Sequence, residues 1–291
     1  MQATATPWTV EQTSPAVATI RVDIESIVDW SFWVLLSSDQ HWDNPHCNRE
    51  MWERHLNQAK ERNAPVLAFG DLFCMMQGKY DKRSSKDCVR PEHNTATYLD
   101  TVIEDCVERH RPWVDQFAVV GDGNHETSIK GRHETDPIDR FTSGMRRNGS
   151  SVVRGGYTGW VRFMFNRGSH RMSRRLWYIH GYGGGGPVTK DMIQRNRQLA
   201  CIDGADIMVS GHTHDAWANE DIAMRLNDAG AVERRSIWYV KCPSYKDEYG
   251  VGEGGWHVET GKPPKPLGAW WLKFSMPSRR EGIVTEVVKA G

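Results

Sequence analysis

Five short apolar runs in this chain are each followed within a few residues by a polar cluster containing histidine, aspartate or asparagine, and this repeated order constrains the fold more than any other feature. Residues 32–36 read as a buried strand. Trp52, Leu56 and Ala59 then recur at helical spacing until Asn63 and Pro65 stop the helix. Residues 66–69 form the second strand-like run. Tyr98, Val102 and Cys106, with Ile103 and Val107 beside them, mark a second helix behind a Thr95 cap, and 117–120 is the third run. Such β-α-β-α-β order predicts a largely parallel sheet covered by helices. A third helix is expected from Asp136 and Pro137, a cap followed by proline in the first turn, with Ile138, Phe141 and Met145 on one face and Gly149 at its end. Later runs (161–165, where Val161, Phe163 and Phe165 alternate with polar residues, then 176–179, 207–209, 237–240, 270–274 and 283–288) read as strands of a second, more mixed sheet.

At 291 residues, 38% apolar and 25% charged, the chain has enough core for one large domain. Thr, Ser, Pro and Gln dominate residues 1–15, so these are expected to be a flexible tail, with residues 16–291 forming a single domain. A Gly- and Pro-rich stretch at 244–268 reads as a long functional loop. No run approaches the roughly 20 apolar residues of a membrane span and the polar start lacks signal-peptide features, so a soluble cytoplasmic protein is expected. The six cysteines (47, 74, 88, 106, 201, 242) form no CxxC pair, which speaks against a thiolate zinc site and, in so long a chain, against a disulfide framework.

The polar clusters are Asp39-Gln40-His41, Gly70-Asp71, Gly123-Asn124-His125-Glu126, His180 and Gly211-His212-Thr213-His214. All five follow strand-like runs, and the carboxyl ends of strands are where α/β sheets bind ligands. In extended chain, residues two apart face the same side, so Asp39 with His41, and His212 with His214, are each expected to present two donors to one region. Imidazole, carboxylate and amide oxygen suit Mn²⁺, Zn²⁺ or Fe, Mn²⁺ being the first expectation.

These blocks, in this order, resemble the calcineurin-like metallophosphoesterase family, whose pattern is D-x-H, GD, GNH(D/E), H and GHxH. A chain with these 27 glycines and 12 histidines would show a GHxH by chance roughly 0.05 times, before the other blocks are required. The resemblance implies an α/β/β/α sandwich of two mixed sheets with flanking helices, and a phosphoester hydrolase using a hydroxide bridged between two divalent metal ions. It implies that Asp39, His41 and His214 hold one ion, that Asn124, His180 and His212 hold the other, and that Asp71 bridges them. His125 would be the general acid that protonates the leaving group, help worth roughly 10² to 10⁴ in rate.

Departures from the family pattern narrow the expectation. Protein phosphatases of the family continue GD as GDxVDRG, whereas here Gly70-Asp71 runs into Leu72-Phe73-Cys74-Met75, and Asp122 sits where those enzymes carry an arginine. Gly70-Asp71-Leu72-Phe73 is similar to the nuclease subunit of the double-strand-break repair complex, and the strings 70–83 and 180–189 are similar to phage-encoded members. Cys74 stands where an acid often orients the catalytic histidine.

Net charge is zero, yet residues 140–190 carry nine arginines and Lys190 with no acid. Arginine forks grip phosphate oxygens bidentately, so one reading of this stretch is polyanion recognition; the other is a solvated face paired with acids elsewhere. Lys79, Lys82 and Arg83, just after Asp71, are expected to touch substrate. The favoured substrate is a phosphodiester of nucleic acid or a nucleotide. The alternatives are a phosphomonoesterase on a small molecule or phosphoprotein, and a non-catalytic binding module on the same scaffold.

Overall fold

The computed structural model describes residues 6–75, 88–184, 186, 188–250, 255–278 and 280–291. Two sheets face each other. The first has six strands: β3 (Ser31–Ser37), β4 (Val66–Phe69), β5 (Phe117–Gly121) and β6 (Val153–Arg154) run parallel, and β12 (Trp270–Ser275) and β13 (Val284–Lys289) join antiparallel at the β3 edge. The second has seven strands in the order β1 (Trp8–Ser14), β2 (Val17–Asp23), β7 (Thr158–Arg167), β8 (His170–Ile179), β9 (Ile207–Ser210), β11 (Val232–Lys241) and β10 (Trp217–Leu226). Its pairings are mixed, with β2–β7, β8–β9 and β9–β11 parallel.

Period-two patterning explains why the sheets stack. Phe32, Val34 and Leu36 of β3 and Leu67 and Phe69 of β4 point into the space between sheets, where they meet Phe163, Phe165, Leu176 and Tyr178 from the other layer. The opposite faces of β3, β4 and β5 bury Leu35, Val66, Ala68 and Phe117 against helices α1 (Arg49–Glu61), α2 (Tyr98–His110) and α4 (Pro137–Arg147). The result is a two-sheet α/β sandwich with helices outside.

Local chemistry accounts for the helix starts. Asn48 Oδ1 accepts the Met51 N–H at 2.9 Å to open α1, and Asp136 Oδ1 accepts from Asp139 N–H at 3.0 Å to open α4. Three expectations change. Residues 8–14, assigned to a flexible tail, form strand β1, because Trp8 is buried and donates its indole N–H to the Asn63 carbonyl at 2.8 Å. The second helix begins at Tyr98, since Thr95 turns its hydroxyl to Thr101 rather than to a helix amide. An additional helix, α3 (Asn124–His133), follows β5 directly. Among the described residues, no helix is long and apolar enough to cross a membrane.

Candidate metal centre

Each of the five polar clusters begins where a central strand stops: Asp39 and His41 after β3, Asp71 after β4, Asn124 and His125 after β5, His180 after β8, and His212 and His214 after β9. Since β3, β4 and β5 belong to one sheet and β8 and β9 to the other, the clusters converge across the rim of the sandwich. Backbone hydrogen bonds hold the loops in step: Asp39 N–H donates to the Gly70 carbonyl and His41 N–H to the Asp71 carbonyl, both at 3.0 Å, and Gly211 N–H donates to the His180 carbonyl at 2.8 Å.

Two groups of donors result, Asp39 with His41 and His214, and Asp71 with His180 and His212. Here the structure departs from the extended-chain expectation. Asp39 and His41 do share a group, but His212 and His214 diverge into different ones, because both have left-handed backbone, at φ 72° and 57°, rather than extended chain. Asn124 joins the second group, its Oδ1 lying 2.8 Å from His212 Nδ1 and 3.2 Å from His180 Nε2. The groups adjoin, with His180 Nε2 3.1 Å from Asp71 Oδ2 and 4.0 Å from Asp39 Oδ1.

Each carboxylate divides its work. Asp39 Oδ2 accepts the His212 backbone N–H at 2.9 Å and Asp71 Oδ1 accepts the His125 backbone N–H at 3.0 Å, which leaves Asp39 Oδ1 and Asp71 Oδ2 facing inward. Asp39 Oδ1 is buried without a hydrogen-bond partner, 3.4 Å from His214 Nε2. Burial works against ionising Asp39 and Asp71. The neighbouring imidazoles, His180 first, outweigh it and hold both carboxyls well below the usual range.

Histidine tautomers sharpen the picture. Phe69 and Gly183 carbonyls can only accept, so His180 Nδ1 and His212 Nε2 carry hydrogens toward them at 2.8 and 2.9 Å. Burial, then His180, lowers His212 from its ordinary value. His41 is pushed well below its ordinary value by burial and then by His125, and its Nε2 lies 3.3 Å from His214 Nε2. Nitrogen and oxygen atoms gathered this closely around an orphaned carboxylate oxygen fit divalent cations; the set of imidazole, carboxylate and amide oxygen is one such ions accept.

His125 sits on the first turn of α3 with its side chain 11% exposed. Its Nδ1–H donates to the Cys74 carbonyl at 2.6 Å, and Nε2 points back to within 3.7 Å of Asp71 Oδ2. A main-chain carbonyl thus does the orienting for which the sequence at position 74 supplies no acid. Glu126, which sequence reasoning passed over, is buried and accepts N–H groups from Gly123 at 2.8 Å, Phe73 at 2.9 Å and Asp71 at 3.1 Å. The signal available was its place three residues after the helix cap. Asp43 is likewise buried and fixes the 74–75 backbone, accepting from Cys74 and Met75 N–H at 2.6 and 2.8 Å. His257, on the 244–268 loop, packs edge-on to His214 with ring centroids 5.6 Å apart and places its Nδ1 2.6 Å from Glu248 Oε2.

Lys79, Lys82 and Arg83 lie outside the described residues. Within the basic stretch, Arg140 pairs with Asp100 at 2.6 Å, Arg154 with Asp136 and Asp122 at 2.7 and 2.9 Å, and Arg175 with Asp206 at 3.2 Å, so part of that charge is matched by acids from elsewhere in the chain.

No family model and no curated protein matches the chain. Among solved structures it is similar to GAP50, described as the anchor in the inner membrane complex of Plasmodium, at 14% identity and TM-score 0.41 over 89% of this chain and 84% of that one. It is also similar to a metallophosphoesterase from Sphaerobacter thermophilus, at 12% identity and TM-score 0.38 over 89% of each chain. Chaetomium thermophilum Vps29 matches at 8% identity and TM-score 0.32, covering 91% of this chain and 97% of that one. At this distance the likenesses carry nothing about activity, and the functional reading rests on the site itself.

Proposed function

We propose that the chain is a metal-dependent phosphoester hydrolase of the calcineurin-like metallophosphoesterase kind, acting on phosphodiesters of nucleic acid or nucleotides. The observation that carries the reading is the convergence of Asp39, His41 and His214, and of Asp71, His180 and His212 with Asn124, around a buried carboxylate oxygen, Asp39 Oδ1, that has no hydrogen-bond partner. Asp39, His41 and His214 would hold one divalent ion and Asn124, His180 and His212 the other, with Asp71 shared between them; Mn²⁺ is the first candidate, Zn²⁺ or Fe the alternatives. Two such ions, when bound, supply an activated water and Lewis-acid polarisation of the phosphoryl oxygens.

The remaining chemistry falls to side chains. His125 Nδ1 is committed to the Cys74 carbonyl, so Nε2 is the position that exchanges a proton, and it faces the centre. From there it protonates the leaving alkoxide as the phosphorus–oxygen bond breaks. Asp71, which accepts the His125 backbone N–H, ties the acid to the donor set.

The test is hydrolysis of bis-p-nitrophenyl phosphate with added Mn²⁺, followed by a panel of monoesters, cyclic dinucleotides and single- and double-stranded nucleic acids. Wild type is expected to turn over the diester, and His125→Ala to lose roughly 10² to 10⁴ of the rate with Mn²⁺ uptake unchanged. On single-stranded DNA, contact with two or three phosphates lowers affinity about tenfold between roughly 50 and 200 mM salt. Equal silence of both proteins across all metals would remove the catalytic reading, and a salt-insensitive preference for monoesters would remove the polyanion.

A further inference from the structure

Beside the donor set lies a third convergence of ligand atoms. The Cys74 thiol and one ring nitrogen each of His41 and His125 lie within 4.8 Å of one another. Cys74 and His41 are each 2% exposed, and the His125 side chain is 11% exposed. Cys74 is also a point where the chain departs from the pattern it otherwise follows.

We propose that Cys74, His125 and His41 form an overlapping site, sharing His41 with the neighbouring group, for a thiophilic divalent cation such as Zn²⁺ or Cd²⁺, and that filling it blocks proton delivery by His125.

Donor chemistry separates this site from its neighbour. One sulfur and two imidazoles are softer than the Asp, His and Asn set, so the two sites select different ions: Mn²⁺ favours oxygen-rich donors, whereas Zn²⁺ and Cd²⁺ favour thiolate. Geometry is close to what is needed. Zinc–sulfur and zinc–nitrogen bonds of about 2.3 and 2.0 Å place those atoms about 3.5 Å apart in a tetrahedral shell. Closing from separations of at most 4.8 Å takes shifts of about 1 Å shared among the three side chains.

One contact and one unpartnered nitrogen prepare the atoms. Asn44 Nδ2–H donates to Cys74 Sγ at 3.3 Å, a bond that steadies negative charge on sulfur once a cation replaces the thiol proton, which leaves to solvent. His41 Nδ1 is buried and has no hydrogen-bond partner. Because His41 Nε2 already faces His214 and Asp39, a cation drawn to Cys74 competes for His41 with the harder ion next to it. Occupation therefore acts on hydrolysis twice, by engaging the acid and by weakening one donor of the neighbouring group.

The inference rests on the proposed function only where inhibition is read out; binding at the sulfur is tested without it. Cd²⁺ is titrated into the Mn²⁺-loaded full-length chain while the thiolate-to-cadmium charge-transfer absorption is recorded, in wild type, Cys74→Ser, His125→Ala and Cys201→Ser, the last a control at an exposed thiol. We expect a saturable band in wild type and Cys201→Ser, its loss in Cys74→Ser, and at least tenfold weaker binding in His125→Ala. Should Cys74→Ser fail to fold, X-ray absorption at the cadmium edge of wild type decides, with one sulfur and two imidazole nitrogens expected in the shell. A band that survives in Cys74→Ser, a sulfur-free shell, or indifference to His125→Ala would overturn the proposal. Mn²⁺ binding to Cys74→Ser, measured separately, reports on the harder-ion centre, so failure of one reading is distinguishable from failure of the other. If the protein hydrolyses the diester, Cd²⁺ inhibition relative to each protein's own uninhibited rate should be at least tenfold weaker in Cys74→Ser.

Discussion

Asp39, His41, Asp71, His212 and His214 all hold φ between 50° and 72°, a region that non-glycine residues seldom adopt. Five strained positions in one set of seven candidate ligands show backbone conformation given over to aiming donors, at a cost of order 1–3 kcal/mol each. The compensation is local: Asp39 Oδ2 and Asp71 Oδ1 each accept a backbone N–H from a neighbouring cluster. His180 provides a pH-dependent test. Burial disfavours its protonation, but Asp71 and Asp39 prevail and, where no cation is bound, hold its proton up to about 9. An entering cation must displace that proton, so apparent Mn²⁺ affinity should rise about tenfold per pH unit below that value and level off above it. Calorimetry in buffers of differing ionisation enthalpy should count close to one proton released; an affinity flat from pH 7 to 9, with none released, would contradict the assignment. The donor identities were legible in the sequence because their residue types recur after strand-like runs. Their division between two groups followed from the family resemblance and not from alternation, which assumes extended chain where His212 and His214 are left-handed.

The junctions of strand and helix carry the constraint at the next scale. A methyl group added at Gly123, where β5 gives way to α3, would stand 2.0 Å from Asp71 Oδ1, and one at Gly211 would stand 2.0 Å from Ser38 Oγ and 2.4 Å from Asp39 Oδ2. Gly123→Ala should therefore keep the sandwich, as judged by circular dichroism, yet weaken Mn²⁺ binding at least tenfold, the scale seen when groups supporting a metal ligand are disturbed. Within α2, His110 accepts the Trp52 indole N–H at 2.7 Å and donates to the Cys106 carbonyl at 2.6 Å, and burial lowers it to about 4. A depressed histidine means that the unfolded chain binds the proton first. The stability it contributes is present above about 6.5 and lost as pH falls toward 4, up to about 3 kcal/mol. Urea midpoints at pH 7 and 4.5 check this, with a shallower loss expected in His110→Gln. Helices α1 and α4 could be read from the chain because apolar residues recur at helical spacing, in α4 behind the Asp136 cap. Helix α3 could not, since its buried side chains are only Glu126 and Ile129 and its role is to place the Asn124–His125 pair.

Across the whole molecule, the donors are drawn from both layers: Asp39, His41, Asp71 and Asn124 from the six-stranded sheet, His180, His212 and His214 from the seven-stranded one. Ions held among them would connect the sheets at their rim as the apolar side chains connect them inside. Saturation of one site at about 100 times Kd adds about 2.7 kcal/mol to folding stability, so a chelator should lower the melting temperature by roughly 4 °C for each ion removed, and Asp39→Asn should abolish most of that difference. The first strand marks a limit of compositional reading, since polar content made 8–14 look like tail and the single buried Trp8 pins it to the sheet. A clasp whose halves are sewn to separate panels closes only when the panels lie true. Metal uptake by this protein would accordingly double as a gauge of inter-layer alignment, and damage at Phe163 or Phe165, within the apolar layer between the sheets, should be felt first as weakened Mn²⁺ binding.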